Sequence, residues 1–154
     1  MFMRNHPTVV KMTDLAESLQ DETPPPVDIA WLRELVLAEG ADDVGFVSLD
    51  RPELDDQRED LLTVYPATKA VISFVVKMNK ESTRSTFRSV ANHEFHSAGD
   101  DVDHIARRVA KALNEQGIPT VNPPMAFPME MDRFPGGKPW TVSHKPIAVA
   151  AGLG

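Results

Sequence analysis

Residues 69–77 constrain the fold most, because they form a nearly continuous apolar run, Ala-Val-Ile-Ser-Phe-Val-Val, between two lysines. β-Branched and aromatic residues favour extended backbone, and a run without polar alternation is typical of a strand buried on both faces. We therefore expect a central strand here. Residues 44–49 have similar content and predict a second strand, with Gly45 as its weak point.

Helical periodicity surrounds these strands. A first helix is predicted from Asp28, a suitable N-cap, to Gly40, and a core-facing helix from about residue 100 to Gly117. Residues 50–64 predict another helix with Asp50 as its cap, and the second half of residues 78–96 is also expected to be helical. Together these elements predict an α/β (α+β) fold with a small mixed sheet and flanking helices.

The domain organisation follows from the three prolines at positions 24–26. Residues 1–26 predict a loosely ordered leader, in which only residues 14–22 have the pattern of a short helix. Residues 27–154 predict a single domain, because a chain of 154 residues with 42% apolar content can bury one core.

Composition limits the classes of partner. The net charge of −7 argues against nucleic acid or an anionic membrane, so a small-molecule partner is favoured. No apolar run approaches the roughly 20 residues that span a bilayer, and the start lacks the pattern of a secretion signal, so we expect a cytoplasmic protein. The absence of Cys removes disulfides and thiolate-bound iron–sulfur clusters from this segment.

No catalytic residue can be assigned from the polar residues. His93, His96 and His104 suggest a metal site, but Glu94 falls on a different helical face from the first two, and exposed histidines on a polar helix explain them better. Ser143 and His144 are sequence neighbours, which does not suit a catalytic triad.

The last thirteen residues, 142–154, predict a short helix followed by a sharp turn at Gly152 and Gly154. Such a turn normally leads into further structure. We therefore expect these residues to be the front part of a longer protein.

Four segments together resemble the epoxyqueuosine reductase-like iron–sulfur proteins, over roughly residues 28 to 154. The most specific is Ser-His-Lys-Pro through Ala-Gly-Leu-Gly at residues 143–154. The others are Ala-Asp-Asp-Val-Gly-Phe at 41–46, Tyr-Pro through Val-Ile-Ser at 65–73, and a helix ending Leu-Asn-Glu-Gln-Gly at 113–117.

The resemblance implies a nitroreductase-like fold that binds cobalamin. In that family the domain receives electrons from [4Fe-4S] clusters in a C-terminal ferredoxin-like domain, to reduce a small-molecule or nucleoside substrate. The family's acidic residue before the last helix is replaced here by Asn122, and its Tyr-His pair is only approximated by Phe95 and His96. We therefore expect a substrate other than that of the epoxyqueuosine reductases, and no turnover by this segment alone.

Site candidates follow from position, each with a simpler alternative. His144 and Lys145 suit an anionic group of a cofactor, or are exposed residues at a helix start. Arg84 and Arg88, expected one turn apart on one helix, suit an anion or form a solvated face.

The final glycines and two longer segments complete the predicted site. Gly152 and Gly154 allow close backbone approach to a cofactor or a cluster domain, or simply make a turn. Residues 84–96 and the Met- and Phe-rich residues 124–134 are candidate walls of an apolar cofactor pocket.

Two further functions remain open at this stage. One is an FMN-binding nitroreductase-like module that forms a homo-oligomer to complete its pocket. The other is a non-catalytic α/β domain that binds a protein partner through the Met- and Phe-rich loop.

Overall fold

The computed structural model describes residues 6–18, 25–126 and 140–154. These residues contain helices and a small sheet, so the predicted α+β class is confirmed. The sheet of the described residues is antiparallel, and not mixed as predicted. In chain order the elements are α1 (Pro7–Ser18), α2 (Ile29–Ala38), β1 (Asp43–Ser48), a 3-10 helix (Pro52–Leu54), α3 (Arg58–Val64), β2 (Ala70–Val75), α4 (Lys80–Thr83), α5 (Arg88–Glu115) and α6 (His144–Ala150).

The sheet pairs β1 with β2, and Gly45 lies opposite Ser73 at its centre. The expectation that β2 is central and buried on both faces is wrong, because residues 71–75 are only partly buried. Within the described residues no third strand pairs with the outer edge of β2. The apolar run therefore forms an edge strand that still contacts both cores of the protein.

Two hydrophobic cores lie on opposite faces of β1, as the two-residue period of a strand requires. Val44 belongs to the first core and Val47 to the second. The first core joins α2 to the C-terminal half of α5, and its buried members are Leu32, Val36, Ala41, Val44, Ile105, Val109 and Leu113. The second joins α3 to α6, and its buried members are Val47, Leu49, Leu54, Leu61, Val142 and Ile147.

Polar contacts lock α2 onto its neighbours. Arg33 donates to the Val44 carbonyl at 2.7 Å and to the Asp43 carboxylate at 2.8 Å, which ties α2 to β1. At the other end of α2, Arg108 of α5 donates to the Glu39 carbonyl at 2.8 Å. The pKa of Asp43 is lowered, mainly by the Val44 N–H and then by Arg33.

The predicted end of the first helix at Gly40 and of the long helix at Gly117 is confirmed, as is the turn at Gly152. At the end of α6, Leu153 N–H donates to the Ala148 carbonyl and Gly152 N–H to the Val149 carbonyl, both at 2.9 Å. This pattern is the Schellman motif, and it needs the left-handed φ of 84° that Gly152 adopts.

Helix α5 differs from the prediction of separate helices, because it runs without a break for 28 residues. The sequence pattern predicts one helix in the second half of residues 78–96 and a separate helix from about residue 100. A single glycine destabilises a helix by only about 1 kcal/mol relative to alanine, which is too little to stop a helix anchored by three buried residues further along.

Two other helix predictions are corrected. Residues 50–64 form a 3-10 turn and then α3, since Arg58 donates to the Leu49 carbonyl at 3.1 Å and pairs with Asp55 at 2.8 Å, which separates the two pieces. In the leader, α1 starts at Pro7 rather than near Asp14, and its Val10 and Met12 are exposed. Among the described helices, each is too short or too polar to cross a bilayer.

The end of α6 rests directly on the backbone of β1. A Cβ built at Gly45 overlaps the Ala151 carbonyl oxygen and lies 2.9 Å from the Ala151 carbonyl carbon. Gly45 is therefore required by packing, since any side chain would push α6 away from the sheet.

We expect Gly45→Ala to lower the free energy of unfolding by about 3 kcal/mol, the upper end of the usual cost of overpacking, because the obstacle is backbone rather than a flexible side chain. Urea unfolding measures the change. Gly154→Ala is the matched control, since its added Cβ meets only a Val149 methyl at 3.1 Å. Equal stability of the two variants would contradict the close packing.

Candidate functional site

The start of α6 is fixed by contacts that position His144. Thr141 donates to the Ala126 carbonyl through both its backbone N–H and its hydroxyl, each at 3.0 Å. Val142 and Ile147 are buried in the second core on either side of the helix start. These contacts hold the first turn of α6 against the segment that follows α5.

His144 is the best-defined polar group of this region. The backbone of Pro124 and the carboxylate of Asp103 in α5 both act on the imidazole. Burial lowers the pKa of His144 from its usual 6.5, while Asp103 and the Pro124 carbonyl act in the opposite direction. The imidazole is therefore neutral at pH 7, and its second nitrogen is a hydrogen-bond acceptor or a ligand.

The other predicted residues of the last segment lie at different ends of α6. His144 and Lys145 are both exposed at the start of α6, whereas Gly152 follows the last turn, about 10 Å away by the rise of a helix. A Cβ at Gly152 would meet nothing within 4 Å, whereas a close backbone approach within the chain occurs at Gly45. An isolated glycine inside an apolar strand was the signal that pointed to it.

The predicted pairing of Arg84 and Arg88 on one helix is wrong. Arg84 caps the C-terminus of α4 and lies 3.9 Å from Glu81, whereas Arg88 is the first residue of α5. Both are exposed. The Met- and Phe-rich wall falls mostly on residues 127–134, which lie outside the described residues.

The remaining concave and acidic features do not add to this site. A solvent-open groove runs along α3, and its walls are Asp55, Arg58, Glu59, Leu62 and Thr63. None of the predicted site residues lines it. In the part of the chain that the structure describes, no three His, Asp or Glu side chains gather as metal ligands.

Comparison of the chain with models of protein families, with curated proteins and with solved structures found no match. The functional argument therefore depends on the residues themselves and on their geometry.

We expect the His144 imidazole to titrate below pH 6.5, and Asp103→Asn to lower its pKa further by removing the favourable charge. Because the pKa of His144 is lower in the folded chain than in the unfolded chain, the unfolded chain binds more protons than the folded chain as the pH falls through 6.5. His144 therefore lowers the free energy of unfolding as the pH falls, and we expect this decrease to be smaller in His144→Gln. NMR titration of the His144 ring protons in the wild type and in Asp103→Asn compares the two pKa values, and an unchanged pKa in Asp103→Asn would refute the electrostatic effect of Asp103.

Proposed function

We propose that this chain is the cobalamin-binding part of an iron–sulfur oxidoreductase resembling epoxyqueuosine reductase. In this proposal the electrons come from [4Fe-4S] clusters held outside these residues, since the 154 residues contain no Cys. The observation that carries the proposal is the meeting of three segments of the resemblance at one point of the fold.

That point is Gly45. It belongs to the segment at 41–46, it lies opposite Ser73 of the segment at 65–73, and its backbone abuts Ala151 of the segment at 143–154. Segments far apart in sequence thus form one packed unit. If the chain has the same domain as that family, the segments of the resemblance must pack together in this way. Helix and strand propensities within each segment would not by themselves bring the segments together.

The fit of a corrinoid to the described residues depends on polar anchors. His144 offers an acceptor nitrogen that suits the carboxamide N–H groups at a corrin edge, and exposed Lys145 offers a positive charge for the phosphate of the nucleotide loop. A bound corrinoid would supply cobalt-centred electron transfer. In this proposal the residues around the start of α6 form one wall of the cofactor site.

FMN is the competing ligand, because its phosphate also suits Lys145. The two cofactors differ in what His144 would contact. A corrin edge presents several amide donors, whereas the isoalloxazine and ribityl groups present fewer N–H donors and more acceptors. The hydroxyl groups of the ribityl chain can also donate to an imidazole nitrogen, so the titration below includes both cofactors.

Anaerobic titration with cobalamin and with FMN, followed by visible absorbance and by retention in ultrafiltration, tests the proposal. We expect cobalamin to bind more tightly than FMN, and His144→Ala and Lys145→Ala each to weaken cobalamin binding about 10-fold, the loss of one polar anchor. Lys111→Ala is the matched control, because Lys111 is an exposed lysine near the C-terminal end of α5, and this variant should bind cobalamin like the wild type. Preferential FMN binding, or binding of neither cofactor, would exclude the proposed function.

A further inference from the structure

Helix α5 presents an exposed face that no described element covers. Phe95 is 63% exposed at its centre. Arg88, Asn92, Phe95, Gly99 and Asp103 follow each other at intervals of three or four residues, so they lie along one side of the helix, which we call the Phe95 face. Helix α4 does not reach it.

The position of α4 is set by a contact on a different flank of α5. Asn79 N–H donates to Glu94 Oε1 at 2.5 Å, and Glu94 is rotated about 100° from Phe95 on the helix. The Phe95 face is therefore open to solvent along the N-terminal half of α5, while the buried residues of the C-terminal half, Ile105, Val109 and Leu113, continue into the first core.

Gly99 makes a notch in this face, one turn from Phe95. A glycine inside a helix destabilises it relative to alanine. Neither backbone conformation nor packing requires one here, because Gly99 has an ordinary helical backbone and a Cβ built on it would meet nothing within 4 Å. A notch beside an exposed aromatic ring has the shape that receives the same ring from another helix.

The charges on the face are ordered by sign. Arg88 lies at its N-terminal end and Asp103 at its C-terminal end, about 22 Å apart by the rise of a helix. An antiparallel pair of such helices sets each Arg88 against the other helix's Asp103. A parallel pair sets like charges side by side, which is unfavourable.

We propose that a second copy of this chain docks on the Phe95 face, with the two α5 helices antiparallel about a two-fold axis. Phe95 of each copy fills the notch at Gly99 of the other, and Arg88 of each pairs with Asp103 of the other. The interface is isologous, so every contact occurs twice.

The proposed dimer also alters the surroundings of His144. Asp103 acts on His144 within one chain, so the pairing brings Arg88 of the second copy to the same neighbourhood. Residues that are far apart in a single chain thus meet across the interface. This consequence rests on the dimer and not on the identity of any cofactor.

Sedimentation equilibrium at low salt tests the proposal with variants in which the charge of Arg88 or of Asp103 is reversed. We expect the wild-type chain to dimerise with a dissociation constant of roughly micromolar, and Arg88→Asp and Asp103→Arg each to weaken association about 10-fold or more. An equimolar mixture of the two variants should recover dimers, because each heterodimer contains two opposite-charge pairs. Lys111→Asp, an exposed position of α5 about 120° around the helix from the centre of the Phe95 face, is the control and should dimerise as the wild type.

A second variant separates docking from folding. Gly99→Leu fills the notch with a good helix former, so we expect unchanged or higher helix content by circular dichroism together with about 10-fold weaker dimerisation. A wild-type chain that stays monomeric at about 100 μM would overturn the proposal. So would a mixture that fails to form heterodimers, or a Gly99→Leu variant that dimerises normally.

Discussion

The contact between Gly45 and Ala151 is the constraint on which the rest of the structure depends. β1 separates the two hydrophobic cores, and the end of α6 can reach its backbone only because position 45 has no side chain. With the end of α6 fixed there, Ile147 fills the second core and the start of the helix is set beside Pro124. One missing methyl group thus determines where His144 lies.

Local signals in the sequence predicted the features that depend on local chemistry. Asp28 caps α2 through hydrogen bonds to Ala30 and Trp31, and Gly40 and Gly117 end helices in the left-handed conformation that glycine favours. The two strands also agree with the prediction to within a residue or two. In each case the residues that specify the element lie inside it or next to it.

The errors concern properties that depend on distant contacts. The apolar run in β2 was consistent with a buried strand, but its burial depends on whether another strand covers its outer edge. Likewise, whether Gly99 interrupts a helix depends on the anchoring of Ile105, Val109 and Leu113 in the first core. Arg84 and Arg88 lie on separate helices, because α4 ends with Arg84 as its C-cap and α5 begins only at Arg88, after Phe87 as its N-cap.

The continuity of α5 connects the fold to the proposed interface. A helix is nucleated once and then extends at little further cost per residue, so the anchored C-terminal half can support an N-terminal half that buries little of its own. The N-terminal half of α5 therefore extends beyond the first core, and Phe95 and Arg88 on it are exposed. An exposed aromatic ring gains no stability from water, but it gains apolar burial when a complementary notch approaches it. Because the same helix carries both the ring and the notch, the surface with the required shape and charge is a second copy of this helix.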